Sequence, residues 1–170
     1  TASKGIEVNE GNSLTIEGTG TLNATAGMFC AAIGSYAYKT CGTIHIHGGT
    51  ITAEGGDCAA GIGGGDSGAG GAITISGGTI VINSSGDTVV TNNDPAYCTA
   101  IKSDANINIS SGIFIISLPT NNHGGKAISA DGNLTISGGD FTINTQGNGA
   151  SYTVSGNTKD AYTSSCLKCD

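Results

Sequence analysis

Arginine is missing from this 170-residue chain. Its six basic residues are all lysines, set against 13 acidic ones, for a formal net charge of −7. Such a chain is a poor partner for nucleic acid, because phosphate binding rests on neutralisation by Lys and Arg. Anionic membrane surfaces are disfavoured on the same ground. Charge is scarce altogether, at 11%, and apolar residues alternate with polar ones, which argues against disorder. No apolar run is long enough to span a bilayer, and no signal-peptide pattern is visible. The 30 glycines follow no Gly-X-Y period, so a collagen triple helix is excluded.

What the chain does contain is a repeat. Apolar–polar–Ile units followed by Gly or Gly–Gly recur as Leu14-Thr15-Ile16, Ile44-His45-Ile46, Ile73-Thr74-Ile75, Ile107-Asn108-Ile109 and Leu134-Thr135-Ile136. The equivalent isoleucines lie roughly 27 to 34 residues apart, in the range of solenoids and β-helices. Side chains of a strand alternate between faces with period two, so the Ile pair of each unit points one way and Thr, His or Asn the other. After the glycines come Ile51 and Ala53, Ile80 and Ile82, Phe114 and Ile116, Phe141 and Ile143, again every second residue. A third short strand precedes each unit, as in Ala32-Ile33-Gly34, Ala60-Gly61-Ile62, Ala100-Ile101-Lys102, Ala127-Ile128-Ser129 and Cys166-Leu167-Lys168.

Three strands and three corners per turn predict an all-β protein, a single-stranded right-handed parallel β-helix of about five to six rungs. Residues 1–170 form one domain on this reading. Its last rung stops incomplete at 166–170, which predicts a fragment of a longer solenoid, and a start at Thr1 without Met suits a mature or an excised chain. A lone rung is not expected to fold. Four or five buried aliphatics supply roughly 10 kcal/mol, less than the cost of ordering about 30 residues. Stacking supplies the remainder, through the hydrogen-bond ladder and a shared core.

The segments Ala100-Ile101-Lys102-Ser103-Asp104 and Lys126-Ala127-Ile128-Ser129-Ala130-Asp131, each followed by its Ile/Leu repeat, resemble a bacterial family of carbohydrate-binding β-helix proteins of the clostridial cellulose- and polygalacturonate-binding surface type. The half with Ala59-Ala60-Gly61-Ile62-Gly63-Gly64-Gly65 and Ile73-Thr74-Ile75-Ser76-Gly77-Gly78-Thr79 resembles Gly-rich repeat surface proteins of gut Bacteroidetes and Firmicutes. The resemblance covers nearly the whole chain. It implies a non-catalytic, extracellular polysaccharide-binding module at the bacterial cell surface. The implied ligand is a plant cell-wall glycan, cellulose or pectin, with Ca²⁺ as an assisting cation. The alternative is a structural stalk, adhesin or accessory subunit that binds other surface proteins.

Several residues are candidates for that chemistry. Asp104, Asp131 and Asp170 occupy equivalent places in successive turns. A stacked column of carboxylates repels itself unless cations intervene, which makes it a candidate calcium site. The competing reading is that these aspartates cap turns. Sugars stack on aromatic rings through their apolar C–H faces, and Tyr97 and Tyr162, both just before third-strand motifs, are the candidate platform. Asn108 and Thr135 stand in an outward polar row with Thr15, His45 and Thr74 and are candidates to hydrogen-bond glycan hydroxyls.

His45 and His47 flank Ile46 and face outward; they are read as surface histidines in preference to a metal pair. Cys30 and Cys58 both stand before an Ala-Ala motif and are expected to stack in adjacent rungs. A disulfide between them closes a loop of about 28 residues and adds roughly 3–4 kcal/mol. A ladder of reduced core cysteines is the other option.

Catalysis is not expected. Pectate lyases use an arginine base, which this chain lacks. Hydrolysis needs two carboxylates about 5–9.5 Å apart across a cleft, and no close acidic pair or cleft-building insertion is evident in the sequence.

Because the whole molecule is acidic, an acidic glycan is expected to need bridging Ca²⁺.

Overall fold

The computed structural model describes residues 3, 5–83, 99–118, 125–145, 150–154, 157–162 and 165–169, with the side chains of 150–162 outside the description. The strands in chain order are β1 (Ile6–Glu7), β2 (Ser13–Ile16), β3 (Thr21–Thr25), β4 (Ile33–Gly34), β5 (Thr43–Ile46), β6 (Thr50–Glu54), β7 (Ile62–Gly63) and β8 (Ile73–Asn83). They continue with β9 (Thr99–Ser103), β10 (Ile107–Leu118), β11 (Lys126–Ala130), β12 (Leu134–Ile136), β13 (Asp140–Thr145), β14 (Ala150–Val154), β15 (Asn157–Tyr162) and β16 (Ser165–Cys169). Among the described residues there is no helix. Period-two patterning and abundant β-branched residues account for this.

The chain shuttles between two parallel sheets. One has the order β1-β4-β7-β9-β11-β16; the other runs β12-β10-β8-β5-β2, with β3, β6 and β13 attached. Each visit to a sheet pairs with the previous visit, so like residues stack on like. Ile6, Ile33, Ile62, Ile101, Ile128 and Leu167 form one column of the first sheet. Ile16, Ile46, Ile75, Ile109 and Ile136 form another in the second. Leu22, Ile51, Ile80, Phe114 and Phe141 form a third, capped by Phe114 and Phe141 stacked at 4.5 Å. The middle members of these columns are wholly buried in one apolar core, while Leu14, Ile16 and Leu22 at one end are half-buried and Leu167 at the other is 49% exposed.

Three strands per turn holds for β1–β2–β3, β4–β5–β6 and β11–β12–β13, but the turns β7–β8 and β9–β10 have two. Where the sequence predicts a corner, at Gly77-Gly78 and at Ser111-Gly112, β8 and β10 run straight through. Gly49, Gly78, Gly112 and Gly139 take φ of +89°, +93°, +128° and +114° in successive turns. Such a glycine bends a strand sharply while the neighbouring ladder bonds survive, so the two legs belong to one sheet. A Cβ on Gly78 would lie 2.9 Å from the carbonyl oxygen of Gly49 below it. Parallel pairing is interrupted by the β14–β15 hairpin, which is antiparallel, and by an isolated antiparallel bridge between Asn9 and Cys41.

The turns containing β4 and β7 match residue for residue. Ile33 pairs with Ile62 and Ile46 with Ile75, a separation of 29, the same as that between His47 and Ser76. Even the strained positions repeat: Phe29 and Cys58 have φ of 68° and 63°, Tyr38 and Ser67 have 60° and 48°. This register corrects the expected cysteine pairing. Cys58 stacks on Phe29, and buried Cys30 stacks on Ala59. Cys30 and Cys58 are slipped by one position, and no disulfide joins them. The Ala-Ala motif suggested equivalence, but the ladder counts from the isoleucines.

Candidate functional site

Stacking in the first sheet gathers polar side chains that lie far apart in sequence. β11 pairs with β9 so that Lys126 faces Thr99 and Ser129 faces Lys102; β16 then places Lys168 on Ser129. With Asp104 and Asp131, which follow β9 and β11, these residues line an open polar groove of about 230 Å³. Three lysines against two aspartates leave the groove with a formal charge of +1, in a chain of −7. Half of the lysines of the protein are here.

The aspartates are held by backbone. Asp104 Oδ2 accepts a hydrogen bond from Gly70 N at 2.8 Å, and its own amide donates to Gly70 O at 3.0 Å. The Asp131 amide donates to Ser103 O at 3.0 Å, which sets it one turn further along. Burial pushes the Asp104 carboxyl above the usual carboxylate range. Lys102 and the Gly70 amide oppose that shift, while the charge of Asp131 and a side-chain hydrogen bond with it add to it. Lys102 Nζ donates to Gly68 O at 2.9 Å, which pins its ammonium at the groove wall.

Of the three aspartates expected in one column, Asp104 and Asp131 each follow paired residues of β9 and β11, Ser103 and Ala130, whereas Asp170 lies outside the described residues. Among the described residues no group of three or more His, Cys, Asp or Glu is arranged to hold a metal ion. Tyr97 and the side chain of Tyr162 also lie outside the described residues; the Tyr162 backbone ends β15.

Asn108 and Thr135 pair across β10 and β12, both exposed, in the outward row Thr15–His45–Thr74–Asn108–Thr135. That row belongs to the second sheet, apart from the groove. Beside it the rings of His45 and His47 are parallel within 7° at 6.2 Å, and His47 Nδ1 is 2.6 Å from Ser76 Oγ.

The lysines were not among the residues singled out from sequence. A signal was present, since Lys102 and Lys168 end the same third-strand motif and Lys126 opens another. It becomes meaningful only once the register stacks them.

A hydrogen-bonding groove of mixed sign, shallow and lined by hydroxyl, ammonium and carboxyl groups, suits a polyhydroxylated ligand more than an apolar one. No curated protein and no solved structure matches the chain. A family model described as carbohydrate-binding domain-containing protein matches residues 8–170, and the chain belongs to that carbohydrate-binding family.

Proposed function

We propose that this chain is a non-catalytic polysaccharide-binding module of an extracellular bacterial surface protein, built as a single right-handed parallel β-helix, with the lysine–aspartate groove as its glycan site. The observation that carries the reading is the concentration of Lys102, Lys126 and Lys168 in one hydrogen-bonding groove of a family member. An acidic chain repels pectate at long range. At contact distance local charge governs, because charges more than about 10 Å away are screened at ordinary ionic strength. The lysines therefore supply the counter-charge that bridging Ca²⁺ would otherwise provide, and a pectin-type glycan can be held without calcium.

The non-catalytic reading is supported by the family and by the direct interaction of Asp104 with Asp131, which differs from the separated pair of carboxyls that glycoside hydrolysis uses.

The test is retention on insoluble polygalacturonate and on cellulose, each with Ca²⁺ and with EDTA, for the wild type and for K102Q/K126Q/K168Q. The expected result is retention on polygalacturonate that survives EDTA, weakens with salt, and falls at least threefold in the triple variant. Each exposed charge contact contributes about 0.2–1 kcal/mol, and three together give about 0.6–3 kcal/mol. Retention abolished by EDTA would move the site to a calcium column on Asp104, Asp131 and Asp170. No retention on any glycan would favour the stalk or accessory-subunit reading, for which Ile113 and Ile115, 48% and 44% exposed on the outer side of β10, offer a protein-binding patch.

A further inference from the structure

Two turns with the same backbone carry very different side chains. Phe29 and Tyr38 occupy left-handed positions in the first of them, and Cys58 and Ser67 occupy the same positions in the second. The aromatic rings are therefore not required by the loop, which keeps its shape with a thiol and a hydroxyl. Nor does the core use them: Tyr38 is 76% exposed, and Phe29 and its neighbour Met28 are 36% and 48% exposed. Large exposed rings at positions that disfavour any side chain need a reason outside folding.

The two rings share one anchor. Phe29 O accepts from Asp66 N at 3.1 Å, and Tyr38 N donates to Asp66 O at 2.9 Å, so both backbones are fastened to the same residue of the next turn. That next turn is stripped of bulk, with Gly65, Ser67 and Gly68 beneath Tyr36, Tyr38 and Lys39. A Cβ on Gly68 would lie 2.7 Å from Lys39 O and 3.1 Å from Tyr36 O, so the two loops are packed backbone to backbone. The far side of this small-residue turn is the lysine groove itself, since Lys102 Nζ reaches Gly68 O and Asp104 holds Gly70 N. Aromatic turn, low step and groove thus follow one another along the first sheet, β4 to β7 to β9. With strands about 4.8 Å apart, the turn that carries the rings lies on the order of 10 Å from the strand of Lys102, and about 14 and 19 Å from those of Lys126 and Lys168.

We infer that Phe29 and Tyr38 form an aromatic subsite for a pyranose ring, extending the groove so that one glycan chain runs along the stack. This rests on the groove being the glycan site. The apolar C–H face of a sugar packs on an aromatic ring, and the Tyr38 hydroxyl adds a hydrogen bond at the rim. The step of small residues leaves the chain room to pass from rings to lysines.

The second turn supplies its own control substitutions. Y38S copies Ser67, so the loop is expected to fold unchanged, and F29S is the companion. Binding of a galacturonan hexamer and of cellohexaose is measured by calorimetry, alongside thermal unfolding of each variant. Y38S and F29S are each expected to weaken binding about threefold to tenfold with unchanged melting, the range of one aromatic contact, and Y38F to retain most of it. As a second readout, the fluorescence of Y38W shifts on adding the bound hexamer. If Y38S binds like the wild type and Y38W is silent while K102Q/K126Q/K168Q loses binding, the subsite is wrong and the groove stands. If the wild type binds neither hexamer nor either polysaccharide, groove and subsite fall together.

Discussion

Replacing Gly78 by Ala sets the bend geometry against the fold. Gly78 sits at φ +93°, and an added Cβ would meet Gly49 O at 2.9 Å and Gly48 O at 3.1 Å. Two costs follow. The left-handed backbone penalises an L side chain by about 1–2 kcal/mol. The crowded Cβ adds strain, because its neighbours are carbonyl oxygens of the adjacent turn that cannot move without disturbing the ladder; a similar 1–3 kcal/mol is the overpacking range. Together G78A is expected to destabilise by about 2–5 kcal/mol. Gly20 is the internal comparison. A Cβ added there would have no neighbour within 4 Å, and its φ is not positive, so G20A restricts only the unfolded chain and stabilises by up to about 1 kcal/mol. Urea unfolding of the two variants, read as midpoint shift at constant slope, checks the ordering. G78A as stable as G20A would refute the stacked-bend reasoning.

The lysine and aromatic variants test the groove and its subsite through glycan binding. Two further outcomes follow from titrating groups. Because the Asp104 carboxyl is raised in the fold, the folded state binds its proton more tightly than the unfolded chain. Its contribution to stability is then fully present below the unfolded value and lost as pH rises through the raised one. D104N keeps an acceptor for the Gly70 amide and carries no charge beside Asp131. It is expected to match or exceed wild-type stability at neutral pH, with the difference shrinking on acidification. Melting temperatures across that range decide it, and a wild-type advantage that grows with pH would reverse the assignment. Among the thiols, Cys166 and Cys169 are exposed while Cys30 and Cys41 are buried, and burial raises the Cys41 thiol further. Alkylation under native conditions should label Cys166 and Cys169 first and leave Cys30 and Cys41 until unfolding, as peptide mapping by mass spectrometry can follow.

The core was legible from sequence because its signal is local: every second residue is apolar, and each Ile finds its counterpart in the next repeat. The bends were legible as glycines but not as continuous strands, since a period-two pattern with a gap looks the same whether the ladder breaks or merely turns. Cys30 and Cys58 show the limit of motif matching. Ala-Ala invited one alignment, the Ile33–Ile62 pairing dictates another, and one residue of slip moves a side chain to a different neighbour. The aspartate column at Asp104 and Asp131 was visible because both follow the same motif. The lysines of the groove stand at different places within their strands, Lys126 at the start of β11 and Lys102 and Lys168 near the ends of β9 and β16. Only the cross-strand register brings them to one surface.

The matched pair of turns has an evolutionary corollary. Where Ile33 through Ile46 repeat as Ile62 through Ile75, excising or duplicating one period splices a backbone onto its own likeness, leaving the ladder pairs of the two sheets with equivalent donors and acceptors. Gene-level gain or loss of such a block would change the molecule's length in increments of about 4.8 Å and move the two rings nearer to or farther from the lysines by the same stride. A lineage could thus tune the span it grips on a polymer by copying, without inventing a new contact.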